Sequence, residues 1–359
     1  MLTEFIKQAN ECVAPTIIQL VNASKWLDTN PPEADQILEN VVDAGDKLVI
    51  IAPSKMRKSF FTAQLALALT AHSKFLGWRV PKQRRVLYIQ FEIREHHCHK
   101  RIKNLARAMD IGSADLGDRL MVVSARGLGL TGAEGLERIK QAAEKFRPEV
   151  IILDPIYKLA VGVENAAEDF KILLNAFDVL AEETGAAIFY VHHDTKGAAG
   201  DKDIRDRGAG SNVLGRDYDA CVTLTQHATE PEAIVVDMLL RNYAPQEPFT
   251  IVWEQQQDTG GYCFRMADDL MADKRTSKTK PPAPPISSYL PAAKTILSTR
   301  GKVDIGYFKA LFKEETHLSD HRIRDFLTWA INQEHPPILT MEERPGRGRG
   351  IKKWVWVES

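Results

Sequence analysis

Apolar residues fall in short unbroken blocks separated by longer stretches of mixed character. Residues 46–50, apolar from Leu48 with Ile51 continuing, form the first block, and 85–89, apolar from Val86, with 120–123, 150–153 and 187–191 form the next four. Blocks of this length, rich in Val, Ile and Leu, predict strands buried on both faces. Helices are predicted between them, over 60–69, 95–109, 134–146 and about 168–184. Strands alternating with helices of this length predict βαβ units, and so a mostly parallel sheet with helices on both faces. Beyond residue 220 the blocks shorten to 221–225, 234–240 and 249–253, which predicts a β-rich edge completing the sheet.

Both flanks differ from this pattern. Residues 1–22, with Phe5, Ile6, Cys12 and Val13, predict an amphipathic N-terminal extension. Residues 268–290 hold a basic run and then Pro281-Pro282-Ala283-Pro284-Pro285, a composition unable to bury apolar area and therefore a linker. Residues 291–359 predict three helices and a β-hairpin, leaving 23–267 as the main α/β domain. In the third helix Ile323, Phe326, Leu327 and Ala330 recur at helical spacing and belong to a core.

Composition narrows the class. The net charge of −1 hides an asymmetry: residues 274–359 carry 16 Lys and Arg against 9 Asp and Glu, and the rest carries 31 against 39. A basic tail on an acidic body directs any phosphate contact to the tail, although a solvated positive surface gives the same count. No run approaches the roughly 20 apolar residues of a membrane span, and the N-terminus lacks a basic-then-apolar signal, so a cytoplasmic protein is expected. The four cysteines lie far apart, as buried thiols do, without metal-site spacing.

The chemistry concentrates at strand ends. Directly after the first strand stand Ala52, Pro53, Ser54, Lys55, Met56, Arg57, Lys58 and Ser59, and then a helix opens. A strand, a tight loop and Lys-Ser at a helix start let backbone amides surround a polyphosphate, with Lys58 reaching the β- and γ-phosphates and Ser59 holding Mg²⁺. Both glycines of the usual loop are replaced, by Ala52 and Arg57, and a bulky Arg57 must point outward. Asp154 ends the strand 150–153, either as a carboxylate holding Mg²⁺ through water or as a plain strand terminator before Pro155. Glu92 follows the strand 85–89, placed to polarise an attacking water or to sit on the surface. His96-His97-Cys98-His99 is set aside, because contiguous helical residues point around the helix and cannot converge on one ion.

Over roughly residues 25–255 the chain resembles the RepA-like hexameric helicase and ATPase family of the RecA-like P-loop superfamily. The resemblance rests on Ser54-Lys55-x-x-Lys58-Ser59, on Val86 to Glu92, on Ile152-Leu153-Asp154-Pro155-Ile156-Tyr157 and on Glu164-Asn165. It continues through Tyr190-Val191-His192-His193-x-x-Lys196-Gly197 and Gly210-Ser211 with Arg216 and Asp219. It implies a RecA-like sheet, ATP with Mg²⁺, Glu92 as catalytic base and His193 as γ-phosphate sensor. It also implies a ring, expected to be a hexamer, in which Lys196, Lys202, Arg205 and Arg207 touch single-stranded DNA in the channel. Arg241 stands where such proteins place a finger reaching a neighbour's phosphates, and an ordinary edge-strand arginine is the equal alternative.

The C-terminal module looks like a winged helix. Its third helix, with Arg322 and Arg324, would enter the major groove of duplex DNA, and Arg344, Arg347 and Arg349 would form the wing's basic tip. Many such modules bind protein instead. The expected function is an ATP-driven DNA helicase or translocase replicating a plasmid, phage or related mobile element. A nucleotide-controlled regulator or helicase loader and a recombination or repair ATPase are the alternatives.

Overall fold

The computed structural model describes residues 21–159, 166–194, 199–201, 217–276, 286–316, 318, 320–331, 340–345 and 351–356. The chain divides into two compact units, Met1–Pro281 and Pro282–Ser359.

In the first unit a short helix α1 (Ala23–Leu27) precedes a hairpin of β1 (Gln36–Leu38) and β2 (Val42–Asp43). Then follow β3 (Lys47–Ala52), α2 (Lys58–Ala71), β4 (Val86–Gln90), α3 (Glu95–Ala108), α4 (Ser113–Leu116) and β5 (Leu120–Ser124). The chain continues through α5 (Gly132–Phe146), β6 (Val150–Asp154), α6 (Ala166–Thr184) and β7 (Ala187–His193). It ends with β8 (Ala220–Gln226), β9 (Ala233–Leu240), β10 (Phe249–Gln255) and β11 (Tyr262–Met266). The nine strands from β3 to β11 form one sheet in the order β11-β10-β9-β8-β3-β7-β6-β4-β5. All pairings from β8 to β5 are parallel, and β9, β10 and β11 add an antiparallel extension. This is an α/β, RecA-like architecture: the mostly parallel sheet is as the blocks predict, and its RecA-like form is as the resemblance implies.

Two cores explain the covering of both faces. One packs α2 and α3 against alternate residues of the sheet, and the other packs α5 and α6 against the opposite set. Nearly every residue of α2 from Phe61 to Thr70 is buried. A helix apolar all round is enclosed all round, and Phe61 of α2 meets Phe75, Trp78 and, on β11, Phe264. The outer strand β5 is different, with Met121 and Val122 about two-fifths exposed.

Some expectations need correction. The antiparallel edge holds a fourth strand, β11, whose buried Cys263 and Phe264 sit between exposed Tyr262 and Arg265, and the β1–β2 hairpin is also additional. Residues 268–276, expected as the start of the linker, hold to the sheet. Ala228 and Arg275 donate backbone bonds to Asp273 and Gln226, and Lys274 bridges His227 and pairs with Asp237. Hydrogen bonds at Met271, Asp273 and Arg275 and the Lys274 ion pair, which composition does not reveal, fix that segment. Of the expected extension over 1–22, only residues 21 and 22 are described.

The second unit has α7 (Leu290–Arg300), β12 (Val303–Asp304), α8 (Ile305–Thr316), α9 (Asp320–Ile331), β13 (Thr340–Pro345) and β14 (Ile351–Trp356). The Asp304 carboxylate accepts from the amides of Gly306 and Tyr307 and so caps α8. Phe308, Phe312, Ile323, Phe326, Leu327 and Ala330 close its core. The two-residue strand β12, which no periodicity signals, pairs with β14 and turns the expected hairpin into a sheet ordered β12-β14-β13.

Candidate nucleotide site

Parallel strands deliver their following loops to one edge, so β3, β4, β6 and β7 bring four separate segments together at their C-terminal ends. The loop after β3 starts with Ala52, wholly buried as the last strand residue, and leads through Pro53, exposed Ser54 and Lys55, and half-buried Met56. Arg57 then adopts a left-handed conformation, φ 54° and ψ 29°, as the cap of α2. A non-glycine residue there costs about 1–2 kcal/mol, and this one is held by outside contacts. Its guanidinium pairs with Glu232 at 2.7 Å and lies 5.6 Å over the ring of Trp253, pointing away from the loop.

Lys58 opens α2 and is buried. Its Nζ donates to the carbonyls of Ala52 at 2.8 Å and Pro53 at 2.9 Å and lies 3.1 Å from Nδ1 of His193. Burial pulls its pKa down to about 8, opposed by the charges of Asp154, Glu92 and Asp194. His193 ends β7 beside Ala52, and burial and then the Lys58 charge hold its pKa below the usual value.

Asp154, at the end of β6, is buried among hydroxyls. Ser59 Oγ donates to its Oδ1 at 3.2 Å, and Thr62 Oγ1 and Tyr88 Oη donate to its Oδ2 at 3.1 and 2.9 Å. Desolvation raises the pKa of this carboxyl, and those three bonds oppose the rise. A hydroxyl and a carboxylate at a helix start, beside an ammonium, are the hard oxygen donors and positive charge that a magnesium nucleotide needs, so the residues fit that pair of ligands. Glu92 lies two residues past β4 and accepts from Tyr157 Oη at 2.7 Å.

The structure thus brings together Lys58, Ser59, Asp154, Glu92 and His193 from positions spread over 136 residues of sequence. It sets Arg241 elsewhere: β9 runs antiparallel to β8, so Arg241 sits at the other end of the sheet, paired with Asp219 at 3.2 Å. Of the DNA candidates, Arg324 is exposed and Arg322 half-buried on α9, and Arg344 lies on β13. Lys196, Lys202, Arg205, Arg207, Arg347 and Arg349 lie outside the described residues, as do Glu164, Asn165, Gly210, Ser211 and Arg216. Among the described residues no three His, Cys, Asp or Glu side chains could hold a metal together. In the 96–99 run only Cys98 turns inward.

Several functional side chains escaped the sequence reading. Thr62 and Tyr88 complete the shell of Asp154, and their only signal is position, one turn after Ser59 and mid-strand before Glu92. A recess of about 270 Å³ beside the first turn of α2 is lined by Phe60, Arg101, Trp253, Gly261 and Tyr262, among others. The Arg101 guanidinium lies 4.6 Å over Phe60, and Trp253 stacks on Tyr262 at 6.1 Å. A Cβ on Gly261 would come within 2.8 Å of Ala108 and of the Asn104 carbonyl, so only glycine lets the β10–β11 turn approach α3 this closely. A larger cavity, about 610 Å³, opens by His72, Arg79 and Gln246 and shares no residue with this group.

No described helix is long and apolar enough to cross a membrane. The family described as AAA domain matches residues 14–199, more than half of the chain, and that span covers the loop after β3, Glu92, Asp154 and His193. With that match and this architecture, the chain belongs to the AAA domain family, P-loop proteins that bind and hydrolyse nucleotides.

Proposed function

We propose that the protein is an ATP-hydrolysing DNA helicase or translocase of the RepA-like kind, assembled as a ring, expected to be a hexamer, and serving replication of a plasmid, phage or related mobile element. The observation that carries this reading is the convergence of Lys58, Ser59, Asp154, Glu92 and His193 at one sheet edge. In it Lys58 and the backbone N–H groups from Ser54 to Ser59 would bind the β- and γ-phosphates, and Ser59, with Asp154 behind it, would hold Mg²⁺. Bound there, Mg²⁺ would supply positive charge against the charge that builds on the phosphoryl oxygens. Glu92 takes a proton from water whose oxygen attacks the γ-phosphorus, and His193 reports whether the γ-phosphate is there. The recess of Phe60, Arg101, Trp253 and Tyr262 adjoins the first turn of α2 and stacks the adenine.

The second unit supports the DNA half. Helix, strand, two helices and two strands is the order of a winged helix, and α9 exposes Arg324 on the face opposite its core. With Arg322, Arg344, Arg347 and Arg349 it would grip duplex DNA, while Lys196, Lys202, Arg205 and Arg207 follow single-stranded DNA. Arg241 would act on a neighbouring copy. A second reading, a nucleotide-controlled DNA-bound regulator or loader, draws support from Ala52 and Arg57 in place of the loop glycines.

ATP turnover with and without single-stranded DNA, together with release of a strand from a forked duplex, tests the proposal. Stimulated turnover with strand release is expected, and Lys58→Ala and Glu92→Gln should each lower turnover by about 100-fold or more. Full activity in either variant rejects the assignment, and turnover without strand release favours the regulator.

A further inference from the structure

The hydrolytic end contains a phenol to which the function above gives no role. Tyr157 lies in the short turn Ile156–Lys158 directly after Asp154 and Pro155. Its neighbours Ile156 and Leu159 are buried to within 1% and fix the turn in the core. The backbone of Phe91 donates to the Asp154 carbonyl at 2.9 Å, so the ends of β4 and β6 are tied where Glu92 and Tyr157 emerge. From there Tyr157 reaches two residues of the hydrolytic group, while the Lys158 ammonium lies 4.9 Å over its ring. Its hydroxyl donates to Glu92 Oε1 at 2.7 Å, and its ring centre lies 5.5 Å from that of His193.

We propose that Tyr157 is the positioning residue of the hydrolytic site, its hydroxyl aiming Glu92 and its ring seating His193, so that base and γ-phosphate sensor are held as one unit. The hydroxyl occupies one oxygen of the carboxylate and leaves Oε2 for the water. As the water oxygen bonds to the γ-phosphorus, its proton passes to Oε2, and the bond from phosphorus to the β–γ bridging oxygen breaks to release ADP. A carboxylate on a flexible side chain loses rotational freedom on meeting such a donor, and a base fixed in its attacking position needs less ordering in the transition state. The Tyr157 hydroxyl itself keeps its proton, since burial and then the bond to Glu92 push its pKa up to about 12. Its role is therefore to hold and not to transfer.

The inference rests on Glu92 being the base, and the test separates the two ideas. With the full-length protein, Tyr157→Phe removes the hydroxyl and keeps the ring on His193. It should lower kcat for ATP about tenfold or more while KM and the affinity for a non-hydrolysable ATP analogue stay within about twofold. In a Glu92→Ala background the same change should cost nothing further, because its target is gone. Unchanged or raised kcat in Tyr157→Phe, a rise confined to KM, or an equal loss in the Glu92→Ala background overturns the proposal. Full turnover in Glu92→Gln, or none in the wild type, sinks the underlying reading and this inference with it. A dead Glu92→Gln beside a fully active Tyr157→Phe removes only this inference.

Discussion

The two ends of the central sheet both gather charged side chains, but to opposite effect. At the ends where β3, β4, β6 and β7 begin, charges are matched one against another. Arg84 is wholly buried between Asp35 and Glu149, Lys47 meets Asp178 and Asp217, and Arg241 meets Asp219. At the C-terminal ends the groups point toward a common space: the hydroxyls of Ser59, Thr62 and Tyr88 crowd one carboxylate, and Lys58 is folded onto its own loop carbonyls. Pairs that satisfy each other hold the fold. Groups desolvated together around a shared point are the arrangement a ligand site takes.

Substitutions at each end sharpen this contrast. Asp154→Asn has the largest expected effect, a loss of Mg²⁺-dependent ATP turnover of about 100-fold or more. The melting midpoint should stay the same or rise, since a buried charge raised in pKa by desolvation is replaced by a neutral group of the same shape. A clear drop in the midpoint would place Asp154 among the structural pairs instead. Arg84→Ala should do the reverse, costing about 2–3 kcal/mol of stability by removing a buried guanidinium and leaving Asp35 and Glu149 with Lys82 alone, with analogue affinity unchanged below the melting transition. Denaturant unfolding and calorimetry read both quantities.

The smallest effect belongs to Asp46, whose pKa burial raises to about 6. A carboxyl with a folded pKa above its unfolded one binds protons more readily when folded, so its contribution to stability is lost as pH rises from about 4 through about 6. Asp46→Asn should therefore raise stability at pH 7.5 by about 1–2 kcal/mol, leave it unchanged at pH 3.5, and leave turnover alone. A gain equal at both pH values would show that the charge is not the cause.

Much of this was legible because its causes are local. Five uninterrupted apolar blocks with helices between them leave a parallel sheet as the economical way to bury them, and a polar residue just past such a block emerges at the same edge as its counterparts. That logic reaches Lys58, Asp154, Glu92 and His193. It does not reach Trp253 or Tyr262, which share a recess with Phe60 across about 200 residues of chain, nor the Glu232 that holds Arg57. It read residues 268–276 as linker because their charges, running on into the prolines at 281–285, count as linker signals whether or not the backbone finds partners.

The sequence by itself determined the succession of strands and helices, the strand-end chemistry and the apolar stripes of the C-terminal helices, because each depends on a period or a neighbour along the chain. Tertiary structure alone decided the strand order, the turning of Arg57 toward β9 and β10, the bond between Tyr157 and Glu92 and the placing of Arg241 at the far end of the sheet. Those depend on which distant segments share a face, and no local pattern encodes the meeting of two surfaces.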